Sequence, residues 1–228
     1  MSVKVLYLSY PISVETPVYG NLPRPKITPY KSIARGNSSN VYTITICNHT
    51  GTHVDAPAHF VPRGRPISDY SPEELTFHNM LLIDIPKGPG GWVEKEDVKA
   101  RISNKTDCLL VRTGFGVLRD KDIYRTNNPG ISPDAILWLR QKIQKIRCIG
   151  IDSISVSGFQ DRLRGRKAHI AAFEKHRGLS EPLLLLEDMN LSVLRNDEKI
   201  LKLQIVPWPI VGIDSAPCTV LAEVSSHE

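Results

Sequence analysis

The sequence predicts an α/β fold built on a mixed β-sheet. Two patterns carry that expectation: strand-like segments outnumber helical ones, and the helices fall between strands instead of forming a separate block. A third observation sets the scale. A chain of 228 residues with 41% hydrophobic and 23% charged side chains can fill a core of its own. No change in composition marks a linker, so a single domain over residues 1–228 is expected.

The elements follow in order. Residues Val3 to Leu8 read as a first strand, and the Pro- and Gly-rich stretch from Pro11 to Pro29 as an irregular, ordered arm. Val41 to Ile46 is β-branched and aromatic, hence a strand. Ser71-Pro-Glu-Glu74 has the form of a helix start, with Ser71 as N-cap and Glu74 completing a capping box. Met80 to Ile85 is a strand and Glu94 to Ile102 a short helix. Cys108 to Arg112 is a fully apolar strand. Ser132-Pro-Asp opens the best helix, with Ile136, Leu139, Ile143 and Ile146 at helical spacing. Cys148 to Ile151 is another buried strand. A helix over Arg166 to Lys175 then precedes strands at Leu183 to Leu186, Leu201 to Val206 and Thr219 to Val224.

The net charge of +5 is mild. The densest basic stretch holds Arg162, Arg164, Arg166 and Lys167, without the interleaved aromatics of a nucleic-acid surface. It reads either as a solvated loop or as a patch that attracts an anionic substrate. Cys47, Cys108, Cys148 and Cys218 are widely spaced and show no CxxC pairing, which suits reduced, buried thiols and a cytoplasmic location. No stretch has the length of a signal peptide core or a membrane span. The expected partner is a small molecule, with neither nucleic acid nor membrane.

Chemistry concentrates in Asn48 to Phe60, NHTGTHVDAPAHF, which holds three of the seven histidines and one Asp. Thr50, Gly51, Thr52, Val54 and Pro57 disfavour a helix. In an extended chain, alternate residues share a face. His49, His53, Asp55 and His59 are all odd-numbered, and Gly51 leaves space among them for an ion. The even set, from Tyr42, Ile44 and Ile46 to Val54, Ala56, Ala58 and Phe60, is free to pack on the core. Clustered imidazoles around a buried carboxylate call for a divalent cation, and neutral imidazole with carboxylate suits Zn, Mn or Fe. The competing reading is a polar, hydrogen-bonded strand.

HTGTHVDAPAH also resembles the HxGTHxDxPxH signature of the cyclase family of metal-dependent hydrolases, which includes bacterial kynurenine formamidases and isatin hydrolases. Every fixed position is present. Further stretches agree in order: Leu8-Ser-Tyr-Pro-Ile12 with Thr16-Pro-Val-Tyr19, Leu110-Val-Arg-Thr-Gly114, Pro129-Gly-Ile-Ser-Pro133, Gly150-Ile-Asp-Ser-Ile-Ser155 and Gly212-Ile-Asp-Ser-Ala-Pro217. The resemblance implies a swivelling β/β/α-type fold, with a barrel-like mixed sheet and flanking helices. It implies that His49, His53 and Asp55 bind metal and that His59 is the general acid/base. A second metal, with Asp55 as bridge, would add Glu187 and a histidine. His169, in Ala168-His-Ile-Ala-Ala-Phe173, fits that role. His176 is the alternative, because the gap from His169 to Glu187 is a few residues long. His78 and His227 read as non-catalytic.

The implied activity is hydrolysis of a small amide by a metal-activated water, with two Zn2+ or Mn2+ ions per subunit and His59 shuttling the proton. The nearest family activity is that of an arylformamidase, which converts N-formylkynurenine to kynurenine and formate. Cyclic amides and lactones are other family substrates. Tyr19 and Phe60, with Phe115, would line an aromatic pocket unless they are plain core. Cys218 stands near a position that lies close to the site in some relatives. The resemblance also implies a homodimer or a higher homo-oligomer. Two other classes stay open from the residues alone: a non-haem iron oxygenase using His53, Asp55 and His169, and a metal-stabilised binding protein without turnover.

Overall fold

The computed structural model describes residues 2–226, so His227 lies outside the described residues. The elements run β1 (Ser2–Tyr7), β2 (Lys26–Lys31), β3 (Val41–Thr45), β4 (His53–Asp55), β5 (Thr76–Phe77), β6 (Met80–Asp84), β7 (Trp92–Val93), α1 (Lys95–Lys99), β8 (Cys108–Arg112), α2 (Asp122–Thr126), β9 (Gly130–Ile131), α3 (Pro133–Lys142), β10 (Cys148–Ile151), α4 (Arg162–Phe173), β11 (Leu184–Glu187), β12 (Glu198–Pro207) and β13 (Ser215–Ser226).

The main sheet is mixed, in the order β5-β12-β13-β4-β11-β10-β8-β6, with β1 also paired to β13. From β6 to β11 the strands are parallel; β4, β13, β12 and β5 are antiparallel to their neighbours. The sheet curls until β6 comes near β12, and the core is a nearly closed barrel with few flanking helices. This is the expected fold class. The apolar runs of β8, β10 and β11 are buried on both faces, as parallel strands in such a sheet must be. One face meets Phe77, Leu203 and Val220 inside the barrel. The other meets Ile136, Leu139, Ala168 and Ala172 of α3 and α4.

Three local expectations shift. First, β3 pairs with β2 in a separate two-stranded hairpin, and all its residues are exposed. Among the described residues no layer covers that hairpin, so Tyr42 and Ile44 do not join the core as alternation alone suggests. Second, Ser71 and Glu74 make the reciprocal bonds of a capping box, yet only one turn forms before β5 begins. Pairing of Thr76 and Phe77 with β12 overrides the local helix signal. Third, α4 starts at Arg162, because the Asp161 side chain accepts the Arg164 N–H and caps the helix one turn earlier than expected.

Arg140 ties α3 to the end of α4. It is fully buried, and its guanidinium donates to the carbonyls of Ala171, Glu174 and Ser180 at 2.6–2.8 Å. Replacing Arg140 with alanine strands three acceptors and is expected to cost about 3 kcal/mol or more. Urea unfolding of Arg140→Ala against the parent protein measures this; a loss below about 1 kcal/mol would contradict it.

All four cysteines are free, with Cys108, Cys148 and Cys218 buried and Cys47 half-buried. No helix among the described residues is long and apolar enough to cross a membrane.

Candidate metal centre

The strand β4 is the spine of the site. It lies between β11 and β13, where His53 faces Glu187 and Pro217 while Asp55 faces Leu185 and Ser215. Residues directly opposite in a sheet share a face. His53, Asp55 and Glu187 therefore project together toward α4, while Val54, Leu186 and Ala216 fill the barrel core. From that helix, buried His169 closes the group.

The odd-number rule holds for His53 and Asp55 but not beyond them. Residues 48–52 form a turn and residues 57–59 a 3-10 turn. His49 and His59 reach the site from these turns, not from one continuous strand. Gly51 serves that geometry: its φ of +66° suits glycine, and its carbonyl accepts a bond from His53 Nδ1 at 2.9 Å. Its role is the turn more than space for an ion.

Asp55 is common to two clusters that could hold a cation, His49–Asp55–His59 and His53–Asp55–Glu187. Its Oδ1 lies 3.0 Å from His49 Nδ1 and 3.4 Å from His53 Nε2. Its Oδ2 lies 3.7 Å from His169 Nε2 and 3.9 Å from His59 Nε2. Glu187 Oε1 accepts bonds from Ser155 Oγ (2.9 Å) and the Val156 N–H (2.8 Å). That leaves Oε2 facing His53 Nε2 at 3.3 Å.

These contacts test whether a cation fits. His53 Nδ1 faces the Gly51 carbonyl, and His169 Nδ1 lies 3.1 Å from both the Gly165 carbonyl and Ser157 Oγ; carbonyls only accept, so the Nδ1 protons belong there. With Nδ1 protonated, a neutral ring turns its Nε2 lone pair toward Asp55 and Glu187. Lone pairs then meet carboxylate oxygens in a buried place. Accordingly His53 Nε2 and both Asp55 oxygens have no hydrogen-bond partner. Burial alone disfavours charge on these groups, but the carboxylates win. Asp55 and Asp214 hold the His49 imidazolium up to about 10, and Asp55 and Glu187 hold His169 up to about 9. Against its own burial and the charge of Asp55, Glu187 is kept ionised, at about 2, by His169 and His53. The cluster demands positive charge, and a divalent cation meets that demand with the imidazoles neutral. The residues fit such an ion.

The histidine alternatives separate. His176 is exposed beyond the end of α4, bonded to Glu174, while His169 lies in the cluster. His78 is exposed, away from the cluster. Tyr19 and Phe60 line the cavity over the site, about 300 Å³ in volume, together with Leu22 and Ile154. Phe60 also stacks on His169, with centroids 4.6 Å apart. Phe115 does not line this cavity; it is buried against Tyr124 in a separate cluster. Cys218 packs in the barrel core.

Two groups emerge only in three dimensions. The Asp214 Oδ2 accepts from His59 Nδ1 at 2.6 Å and lies 3.1 Å from His49 Nε2, while its Oδ1 accepts from Asn48 at 2.7 Å. The Gly212-Ile-Asp stretch hinted at its importance without assigning a role. Asp188, which follows Glu187, sits at φ +53°, a costly conformation for a non-glycine residue. Arg119 grips its carboxylate at 2.8 and 2.6 Å, Tyr124 donates at 2.6 Å, and Thr52 Oγ bonds its carbonyl. This clamp holds the end of β11 against the turn before β4.

Residues 6–157, more than half of the chain, match the sequence model of the Cyclase family. The chain belongs to the cyclase family. Its relatives include cyclase-like protein 2 of Oryza sativa subsp. japonica, 25% identical over 228 residues, covering 94% of this chain and 77% of that protein. A solved structure described as a potential metal-dependent hydrolase with cyclase activity superposes with a TM-score of 0.74 at 25% identity, covering all of both chains. Isatin hydrolase A from Labrenzia aggregata shares the fold, with a TM-score of 0.77 at 23% identity over 97% of this chain and 93% of that one. The expected family and fold are both borne out for this cyclase-family chain.

Proposed function

We propose that this cyclase-family protein is a metal-dependent hydrolase that cleaves the C–N bond of a small amide. The finer reading is an arylformamidase, with N-formylkynurenine and water giving kynurenine and formate. The observation that carries the proposal is the buried cluster of His53, His169, Asp55 and Glu187, in which His53 Nε2 and both Asp55 oxygens have no hydrogen-bond partner. In this reading His49, His53, Asp55, His169 and Glu187 hold two divalent ions, Zn2+ or Mn2+, with Asp55 shared. Such ions, when bound, polarise a carbonyl and acidify a water.

The rest is work for the chain. Asp214 fixes the Nδ1–H of His59, so Nε2 bears the lone pair toward the cavity. There it takes a proton from the attacking water and returns it to the leaving amine as the C–N bond breaks. Phe60, Leu22 and Ile154 exclude bulk water and give an aromatic ring apolar walls. Burial and the charge of Glu187 push the Tyr19 phenol up to about 12, so it stays a neutral donor at the rim.

The test uses purified protein stripped with a chelator and reloaded with Zn2+ or Mn2+, assayed on formanilides, N-formylkynurenine, isatin and a lactone. Hydrolysis is expected to vanish on stripping and return on reloading. Loading at 100 times Kd should stabilise the fold by about 2.7 kcal/mol, read as a rise in Tm. Reloaded protein that turns over nothing in the panel would sink the proposal. Oxygen uptake with ferrous iron would favour an oxygenase instead.

A further inference from the structure

The basic run in α4 has no part in the chemistry above, and the fold divides its members. Arg164 is taken: it bonds Glu94 at 2.7 Å and lies over the Trp92 ring. Arg162 and Arg166 make no ion pair or hydrogen bond among the described residues. Each lies over an aromatic ring instead, Arg162 at 5.0 Å from the Phe159 centroid and Arg166 at 5.8 Å from that of Phe60. A guanidinium so placed keeps N–H donors free.

Their position is specific. Arg162, Arg166 and His169 are spaced i, i+4 and i+7, so they share one face of α4. His169 sits at the floor of the site. Arg162 and Arg166 line an outer chamber of about 510 Å³, which shares Tyr19, Leu22, Phe60 and Ser157 with the cavity over the site. No carboxylate lines that chamber. Two like charges one turn apart repel, and neither is in an ion pair among the described residues.

We infer that Arg162 and Arg166 form the anion subsite of the pocket, and that the substrate is an aromatic amide bearing a carboxylate. This rests on the hydrolase reading and narrows it. Along the helix, Arg166 stands about 4.5 Å and Arg162 roughly 10 Å from His169. Both arginines thus stand one and two turns from His169, in the outer chamber that adjoins the cavity over the site. The chamber offers two guanidiniums and, among the described residues, no acidic side chain. It therefore fits the carboxylate of an aromatic amide, and an N-formylated aminobenzoate is the simplest probe of that fit.

The experiment compares 4-formamidobenzoate with its neutral analogue 4-formamidobenzamide on metal-loaded protein. The parent protein should prefer the carboxylate at least about 10-fold in kcat/KM, through KM, and lose that preference as salt rises. Arg162→Gln with Arg166→Gln should erase the preference, while Lys167→Gln, on the same helix but outside the chamber, retains it. A second readout needs no turnover: calorimetric titration with 4-aminobenzoate and 4-aminobenzamide. Binding of the benzoate should weaken about 10- to 100-fold in the double variant. Arginine-dependent binding without hydrolysis of either amide would uphold the subsite and defeat the hydrolase reading. Equal kcat/KM for the two amides, or benzoate binding indifferent to both arginines, would overturn the inference and leave the hydrolase reading standing.

Discussion

Asp55→Asn is expected to abolish metal binding and to reduce hydrolysis by about a thousand-fold or more. The side chain is isosteric, so the fold has no steric reason to fail. What disappears is the single negative charge that lies within ion-pair reach of four imidazoles, those of His49, His53, His59 and His169. Both clusters that could hold a cation contain Asp55, so neither survives its neutralisation. Metal content by elemental analysis and Tm with and without chelator separate this from unfolding. The metal-free variant should still fold but melt below the metal-free parent, because without metal the imidazoles of His49, His53 and His169 lose the carboxylate charge that outweighs its own burial and faces them. Two ions per chain with a near-normal rate would refute the assignment.

His59→Gln should behave differently: kcat falls about 100- to 10,000-fold while metal content is retained. The bond from Nδ1 to Asp214 already commits that face of the ring, leaving Nε2 for proton transfer. Asp214→Asn should reproduce a milder loss of about 10- to 100-fold, since it loosens the ring without removing it. Metal analysis is the deciding measurement, because His59 also lies near enough to Asp55 and His49 to act as a ligand. Loss of metal on His59→Gln would make it one, and the proton would need another carrier.

Much of this was legible in the residues. The cyclase-type signature and most strands could be read directly, and the resemblance pointed to Glu187 after the apolar run Leu183 to Leu186. Such signals are local: a period of two, a cap, or a fixed spacing reports on neighbours along the chain. Where local signals misled, pairing at a distance had overruled them. The strand at Val41–Thr45 joins a hairpin without a covering layer, so its apolar alternation stays in solvent. The capping box at Ser71 yields to the pairing of β5 with β12.

The sequence by itself marked His49, His53 and Asp55 as candidate cation ligands and pointed to the family to which the chain belongs. Only the tertiary structure decided how they meet. Register across β4, β11 and β13 sets Glu187 beside His53. One helix face chooses His169 over His176, and the closing loop brings Asp214 to His59 across 155 positions of chain. The same helix face carries Arg162 and Arg166 to the pocket mouth. The reason is physical: spacing along a chain fixes direction only within one element, whereas a site among strands, a helix and a loop depends on contacts that no short stretch contains.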